Sequence, residues 1–441
     1  MNRIGNVIDK ILFLFLVVTG CTNKDIEVRN RLSLAGEWKF RIDSLDQGIT
    51  DKWYNGLLTE TVSLPGSMAE NGKGDEVTVN TDWTGDIFDK SYFVDKKYEK
   101  YRQPGNIKIP FWLKPVKYYK GVAWYQKEVD IPEDWSGKHV TLFLERCHWE
   151  STVFVNGNKA GTRNSLAAPH EYDISSQLIP GKNLISIRMD NRVIIPIGVN
   201  SHSISDHTQS NWNGITGEIS LASSSGVFIN DVRIYPDIKN ESAKVIVSVK
   251  NPGNIDFKGK IRIKARSFNS EKNQNLPGKN VTIVTNADEQ QLIIYYKISK
   301  PRLWSEFDPA MYRLSATLRK SGRIIDEKNV DFGMREFIAK GTRFEVNGIP
   351  VFLRGTTECC IFPLTGYPPT DIASWEKVLR TVKEYGLNHV RFHSFCPPGA
   401  AFEAADKLGI YFHIECSSWA NQGASVGSGT PVDMFIYEEG D

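Results

Sequence analysis

Between residues 32 and 222 apolar and polar positions alternate with a period of two over short runs, the pattern of strands with one buried face. The clearest runs are 123–131 (AWYQKEVDI), 139–145 (HVTLFLE), 151–155 (STVFV) and 183–189 (NLISIRM). Asn156-Gly157 and Pro180-Gly181 lie between them and supply the backbone angles of tight turns. This predicts an antiparallel sandwich or jelly roll. Residues 71–119 break the rhythm with a polar, loop-like stretch carrying Trp83, Phe93, Trp112 and Tyr118. A loop of that length reads as a binding-loop insertion or as a decorative one.

A second β-segment runs from Val227 to about Phe337, with strands at 245–250, 260–267, 292–298, 312–319 and 324–332. Its length and strand spacing fit an immunoglobulin-like sandwich. Pro301, Trp304 and Pro309 mark one corner. The segment carries no recognisable chemistry, so its expected task is to space and orient its neighbours.

The period then changes. Residues 351–354 form a short apolar strand ending at Gly355, and 371–385 (DIASWEKVLRTVKEY) places Ile372, Trp375, Val378, Leu379 and Val382 at helical spacing. Thr370 or Asp371 can cap that helix at its start and Gly386 at its end. A strand at 389–392, a helix at 400–408 ended by Gly409 and a strand at 410–414 follow. Strand–helix–strand–helix–strand with short links implies parallel pairing, the opening of a (β/α)8 barrel. Asp441 lies 26 residues past Glu415, whereas a full barrel takes about 250 residues, so an incomplete barrel is expected.

Composition adds limits. At 441 residues, with net charge +2 and 24% charged residues, the chain shows no basic run, and no nucleic-acid partner is expected. Its 11 Trp, 16 Tyr and 22 Phe suit β-rich cores and sugar-binding surfaces alike. Near the N-terminus, Arg3 and Lys10 precede an apolar run, 11–18, too short to span a bilayer. That run ends in Val18-Thr19-Gly20-Cys21, which resembles a bacterial lipoprotein signal; the alternative is an ordinary secretory signal with an incidental cysteine. Lipidation at Cys21 would give an exported protein, periplasmic or held on the outer membrane by its acyl chains. Cys147, Cys359, Cys360, Cys396 and Cys416 form no disulfide framework and no C-x-x-C pair, so neither a metal nor a cofactor is expected.

In a barrel the residues just past each strand face the catalytic side. Those residues are 356–360, 391–396 and 415–419. Arg391 and Glu415 can hydrogen-bond sugar hydroxyls, or pair with each other as a structural ion pair. His393 can donate or accept, or serve as a scaffold histidine. Trp419 can stack on a sugar face, or simply pack.

The order of these segments and their motifs resembles glycoside hydrolase family 2, the family of β-galactosidases, β-glucuronidases and β-mannosidases. GEWKF at 36–40, AWYQKEVDIP at 123–132, VFVNGNKAG at 153–161 and WNGITGEISL at 212–221 look like its jelly-roll sugar-binding domain. LWSEFDPAMYRL at 303–314 and FGMREF at 332–337 look like the end of its Ig-like domain. NGIPVFLRG at 347–355, YGLNHVRFH at 385–393 and ADKLGIYFHIE at 405–415 look like the first strands of its barrel. The resemblance implies a signal peptide at 1–21, a jelly-roll domain at 22–224, an Ig-like sandwich at 225–337 and an incomplete TIM-barrel domain at 338–441. It also implies hydrolysis of β-linked glycosides, with Arg391, His393, Glu415 and Trp419 as substrate contacts.

Two departures touch those contacts. The family often carries Arg-Gly-x-Asn-x-His after the first strand, whereas Arg354-Gly355 here runs into Thr356, Thr357, Glu358 and Cys359. Its usual histidine three residues past the arginine is Ser394 in this chain. Retaining glycosidases need two carboxyl groups about 5–5.5 Å apart, and the resemblance puts them after the fourth and seventh strands. Three strands are legible before Asp441, so no residue here inherits either role. The competing expectations are a membrane-tethered glycan-binding protein without catalysis and a purely structural spacer; self-association is left open.

Overall fold

The structure, a computed structural model, describes residues 30–110, 112, 114–194, 203–206, 211–362 and 364–415. Cys21, Cys416 and Trp419 lie outside the described residues.

The first unit is a sandwich of two antiparallel sheets. One has four strands, in the order Asn30–Ser33, Ile219–Ser224, His139–Leu144 and His170–Asp173. The other has six, in the order Glu60–Leu64, Gly36–Asp43, Val122–Ile131, Gly181–Asp190, Glu150–Val155 and Asn158–Arg163. Alternation decides which side faces in. Val140, Leu142 and Leu144 enter the core with Trp38, Phe40, Tyr125, Val153, Ile185 and Ile187, while His139, Thr141 and Phe143 face outward. Asn156 and Gly157, at φ 50° and 81°, make the two-residue turn that joins Glu150–Val155 to Asn158–Arg163.

Residues 71–119, expected as loop, fold into a lobe with short helices at Ser91–Val94 and Lys96–Tyr101. Trp83, Tyr92, Ile107, Ile109, Trp112 and Tyr118 form its small core. The Asp206 carboxylate anchors it by accepting from the Thr84 N–H at 2.7 Å and the Gly85 N–H at 3.2 Å.

The second unit packs a three-stranded sheet (Phe228–Asp237, Ser242–Lys250, Glu289–Lys297) on a four-stranded one (Lys279–Thr285, Phe257–Phe268, Met311–Lys320, Arg323–Gly333). Ile261, Ile263, Val245, Val247, Leu314 and Ala316 fill the space between them. This three-plus-four arrangement is an immunoglobulin-like sandwich.

The third unit has two parts. Phe337–Lys340, Arg343–Val346 and Ile349–Val351 form an antiparallel meander, and Gly355–Glu358, His389–Phe392 and Tyr411–Ile414 form a parallel sheet. The strand expected at 351–354 is therefore misplaced. Asn347 and Gly348, at φ 54° and 79°, turn the chain back on itself, so Val351 pairs with Phe344 and ends the meander. The parallel ladder starts beyond Arg354, whose N–H donates to Asn388 Oδ1 at 2.8 Å. Gly355 lies beside His389, and a Cβ there would fall 2.4 Å from the imidazole Nδ1.

Two helices cover one face of the parallel sheet. Ile372–Glu384 is capped by Asp371, whose carboxylate accepts from the Ser374 N–H at 2.8 Å, and the helix ends at Gly386 with φ 74°. Gly399–Leu408 ends in Gly409 at φ 73°. Trp375, Leu379, Ala401 and Ala404 pack on Val390 and Phe392.

Candidate functional site

In a strand successive side chains alternate between faces, so those two apolar residues send their strand's other positions to the opposite side. Thr357, Arg391 and His413 are register partners there, with His389 two residues before Arg391 on the same side. Arg391 lies inside its strand, at the third position, and Thr356, Thr357 and Glu358 lie inside theirs. Two segments expected past the strand ends thus begin inside the strands.

Beyond the strand ends the chain gathers polar groups. The Arg391 guanidinium pairs with Glu415 Oε1, and the Ser394 N–H donates to Glu415 Oε2 at 2.9 Å. Burial works to raise the Glu415 pKa, but the Ser394 N–H and Arg391 outweigh it and hold the carboxyl below its usual range. His393 is fixed through its own N–H, which donates to Glu358 O at 2.9 Å, and its Nδ1 lies 3.6 Å from Cys359 Sγ. Burial pushes the Glu358 carboxyl upward, against the pull of the N–H groups of Cys360, Ile361 and Cys359. The Cys359 and Cys360 thiols are also raised by burial, with the Glu358 charge adding to both. Ser394, at φ 50°, has a buried hydroxyl with no hydrogen-bond partner among the described residues. The arrangement presents a charged pair and an imidazole, groups able to meet a polyhydroxylated ligand.

The structure brings Arg391, His393 and Glu415 together, with the first and last as an ion pair. Sequence reasoning did not find the first sandwich pressed against the same loops. Arg146 Nη2 donates to Cys396 O at 2.9 Å, with its guanidinium carbon 5.7 Å from the centre of the Phe395 ring. Burial lowers the Arg146 pKa. The Tyr367 hydroxyl donates to Glu70, and the Thr370 hydroxyl donates to Thr216 O at 3.2 Å. Along this seam His148 and Trp212 meet edge to face at 4.6 Å beside a cavity of about 20 Å³. No sequence signal pairs residues so far apart in the chain.

None of the four described cysteines is in a disulfide. Among the described residues no three His, Cys, Asp or Glu side chains are grouped to hold a metal ion, and no helix is long and apolar enough to cross a membrane.

Comparison with known proteins matches this architecture. The family profile "Glycosyl hydrolases family 2, sugar binding domain" matches residues 76–224, and "Glycosyl hydrolases family 2" matches 227–335. A β-glucuronidase of Paenibacillus borealis is 23% identical over 350 residues, covering 75% of this chain and 50% of its own length. A β-galactosidase of Thermoanaerobacter pseudethanolicus is 25% identical over 360 residues, covering 79% and 47%. The chain thus spans about half the length of these relatives. Among solved structures, a glycosyl hydrolase family 2 member from Bacteroides cellulosilyticus superposes with a TM-score of 0.65 at 18% identity, over 88% of this chain and 47% of that one. With two adjoining profile matches that together cover more than half of the chain, the chain belongs to glycosyl hydrolase family 2.

Proposed function

We propose that the protein to which this chain belongs hydrolyses β-linked glycosides with retention, and that its parallel unit opens a (β/α)8 barrel. The observation that carries this is the polar cluster of Arg391, His393 and Glu415 at the strand ends, directly after the family's two sandwich domains. Relatives named β-glucuronidase and β-galactosidase favour hydrolysis over non-catalytic glycan binding, and they leave the sugar open between a uronate and a neutral hexose. Arg391, His393, Glu415 and Trp419 are assigned to substrate contact. The acid/base and nucleophile roles are assigned to no residue of this chain. Export and tethering through a lipidated Cys21 belong to the same reading.

The test is release of p-nitrophenol from β-glucuronide, β-galactoside and β-mannoside by the whole gene product, alongside its Arg391→Ala and Glu415→Gln variants. One cleaved substrate, with both variants down by at least about tenfold, is expected. Full activity in both variants would remove the assigned site, and cleavage of none of the three would remove the activity.

A further inference from the structure

The outer face of the four-stranded sheet forms one wall of a groove of about 950 Å³, and the second sandwich forms the other. Strand register fixes what the first wall presents. Arg31, Ala222, Thr141 and Asp173 lie in one cross-strand row, and Phe143 lies beside Glu171 in the next. Phe228, Asn230, Lys250 and Asp288 face them from the second sandwich. Domain junctions are one of the places where ligand sites of this size are preferentially found.

The chemistry of the walls narrows the ligand. Phe143 is a part-exposed ring on an otherwise polar wall, with the Arg31 guanidinium carbon 5.5 Å from its centre. The His139 imidazole stacks on Phe228 at 4.7 Å. Four cations line the groove, Arg31, Arg163, Lys250 and Lys328, against three carboxylates, Glu171, Asp173 and Asp288, a near balance. Arg31 Nε lies 3.0 Å from Glu218, Lys250 Nζ lies 2.9 Å from Asp288 and 3.0 Å from Glu289, and His139 Nδ1 lies 3.4 Å from Asp173. A phosphate-bearing or nucleic-acid ligand would require an excess of cations. An amphipathic helix would require a broad apolar stripe. Donors and acceptors of both signs at strand spacing, around one aromatic ring, suit pyranose rings, which carry hydroxyls at their edges and C–H groups on their faces.

We propose that this groove binds a neutral, linear oligosaccharide, one ring of which lies over Phe143. It shares no lining residue with the cluster of Arg391, His393 and Glu415, so the two sites can be tested separately. Such a groove would hold the protein on a polymer while the strand-end site acts on a chain end or branch.

The test is native electrophoresis of the full chain through gels cast with soluble xylan, glucomannan or mixed-linkage β-glucan, followed by calorimetric titration with the matching hexasaccharide. Expected is retardation on one polymer, weakened about tenfold or more in Kd by Phe143→Ala and by Glu171→Ala, and kept by Arg391→Ala. Glu171 is exposed, so its variant tests the groove even if loss of Phe143 disturbs the sheet. Retardation abolished by Arg391→Ala and untouched by the groove variants would place binding at the strand ends and overturn the proposal. No retardation and no heat with any of the three carbohydrates would also overturn it. So would a dimer in sedimentation velocity that Glu171→Ala dissociates, since the groove would then be an interface between copies.

Discussion

Arg146 Nη2 donates to Cys396 O at 2.9 Å across 250 residues of sequence, tying the first sandwich to the loop that follows the second parallel strand. The same guanidinium donates to Leu166 O at 3.2 Å, so one buried cation serves carbonyls on both sides of the seam. Methionine at this position keeps much of the stem's packing and removes both bonds. Arg146→Met should cost about 2–3 kcal/mol, because two carbonyls lose a charged donor in a buried place. Denaturant melts should show the loss, and limited proteolysis should cut faster between residues 393 and 398. An unchanged cleavage rate would mean that the seam is held elsewhere.

Acid should weaken the fold through its buried histidines. His148 is buried, both its ring nitrogens lack a hydrogen-bond partner among the described residues, and burial lowers its pKa to about 3. His170 is lowered to about 4, mainly by burial, while its ring contacts Ser151 and Ser165. Free imidazole titrates near 6.5. Above that value neither state binds the proton. As pH falls below it the unfolded chain takes up protons that the folded chain refuses, so stability drops toward pH 4 for His170 and pH 3 for His148. Each histidine contributes a slope of about 1.4 kcal/mol per pH unit inside its window. His148→Phe replaces unpaired nitrogens with carbon beside a cavity of about 20 Å³. It should be at least as stable as the parent at pH 7 and flatter from pH 6 to 4, read from urea midpoints. Parallel pH curves for the two proteins would show that His148 is not the group responsible.

The helix cap offers a smaller, cleaner effect. Asp371 accepts from the Ser374 N–H at 2.8 Å, and this bond holds its carboxyl below the usual range. Asp371→Ala should cost about 1 kcal/mol at pH 7. Because the folded-state pKa is lowered, that contribution fades as pH falls through the carboxylate range. The Asp371→Ala difference in thermal midpoint should therefore shrink between pH 7 and pH 3. Asp371→Asn, which keeps an acceptor oxygen, should recover most of it.

What was legible in the sequence follows from where each signal comes from. Strands such as His139–Leu144 were visible because one face is buried and the other wet, which writes the alternation into the residues. Phe228–Asp237 was not singled out because its register slips between Ile229 and Asp231 and breaks the period. Gly355–Glu358 is hidden because its sequence, GTTE, carries no apolar pattern; of the apolar run before it, Ile349–Val351 belongs to a meander fixed by the Asn347-Gly348 turn, and Phe352 and Leu353 lie in the link between. Arg391, His393 and Glu415 could be read as neighbours because a strand–helix repeat brings strand ends to one side. Arg146 and Glu70 could not. Their partners lie 250 and 297 residues away, and only the docking of two units brings them there.

The corner marked by Pro301, Trp304 and Pro309 is where the second sandwich orients the parallel unit, and Gly409 is its tightest point. Trp304 is fully buried and its indole N–H donates to Asp406 O at 2.7 Å, in the last turn of the helix that Gly409 terminates. Glu306 continues the contact by accepting from Asn388, at the entry to the middle parallel strand. Gly409 has φ 73°, and a Cβ there would lie 2.8 Å from Glu306 O and 2.9 Å from Glu306 Cα. Alanine would carry two penalties, the left-handed backbone and a collision with main chain that has no side-chain rotamer to relieve it. Gly409→Ala should therefore cost at least about 2 kcal/mol, whereas Gly386→Ala, at φ 74° but with open space around the Cβ, should cost nearer 1 kcal/mol. The comparison separates docking from helix termination. Equal losses in the two variants would mean that Glu306 yields, and that the corner does not fix the position of the parallel unit.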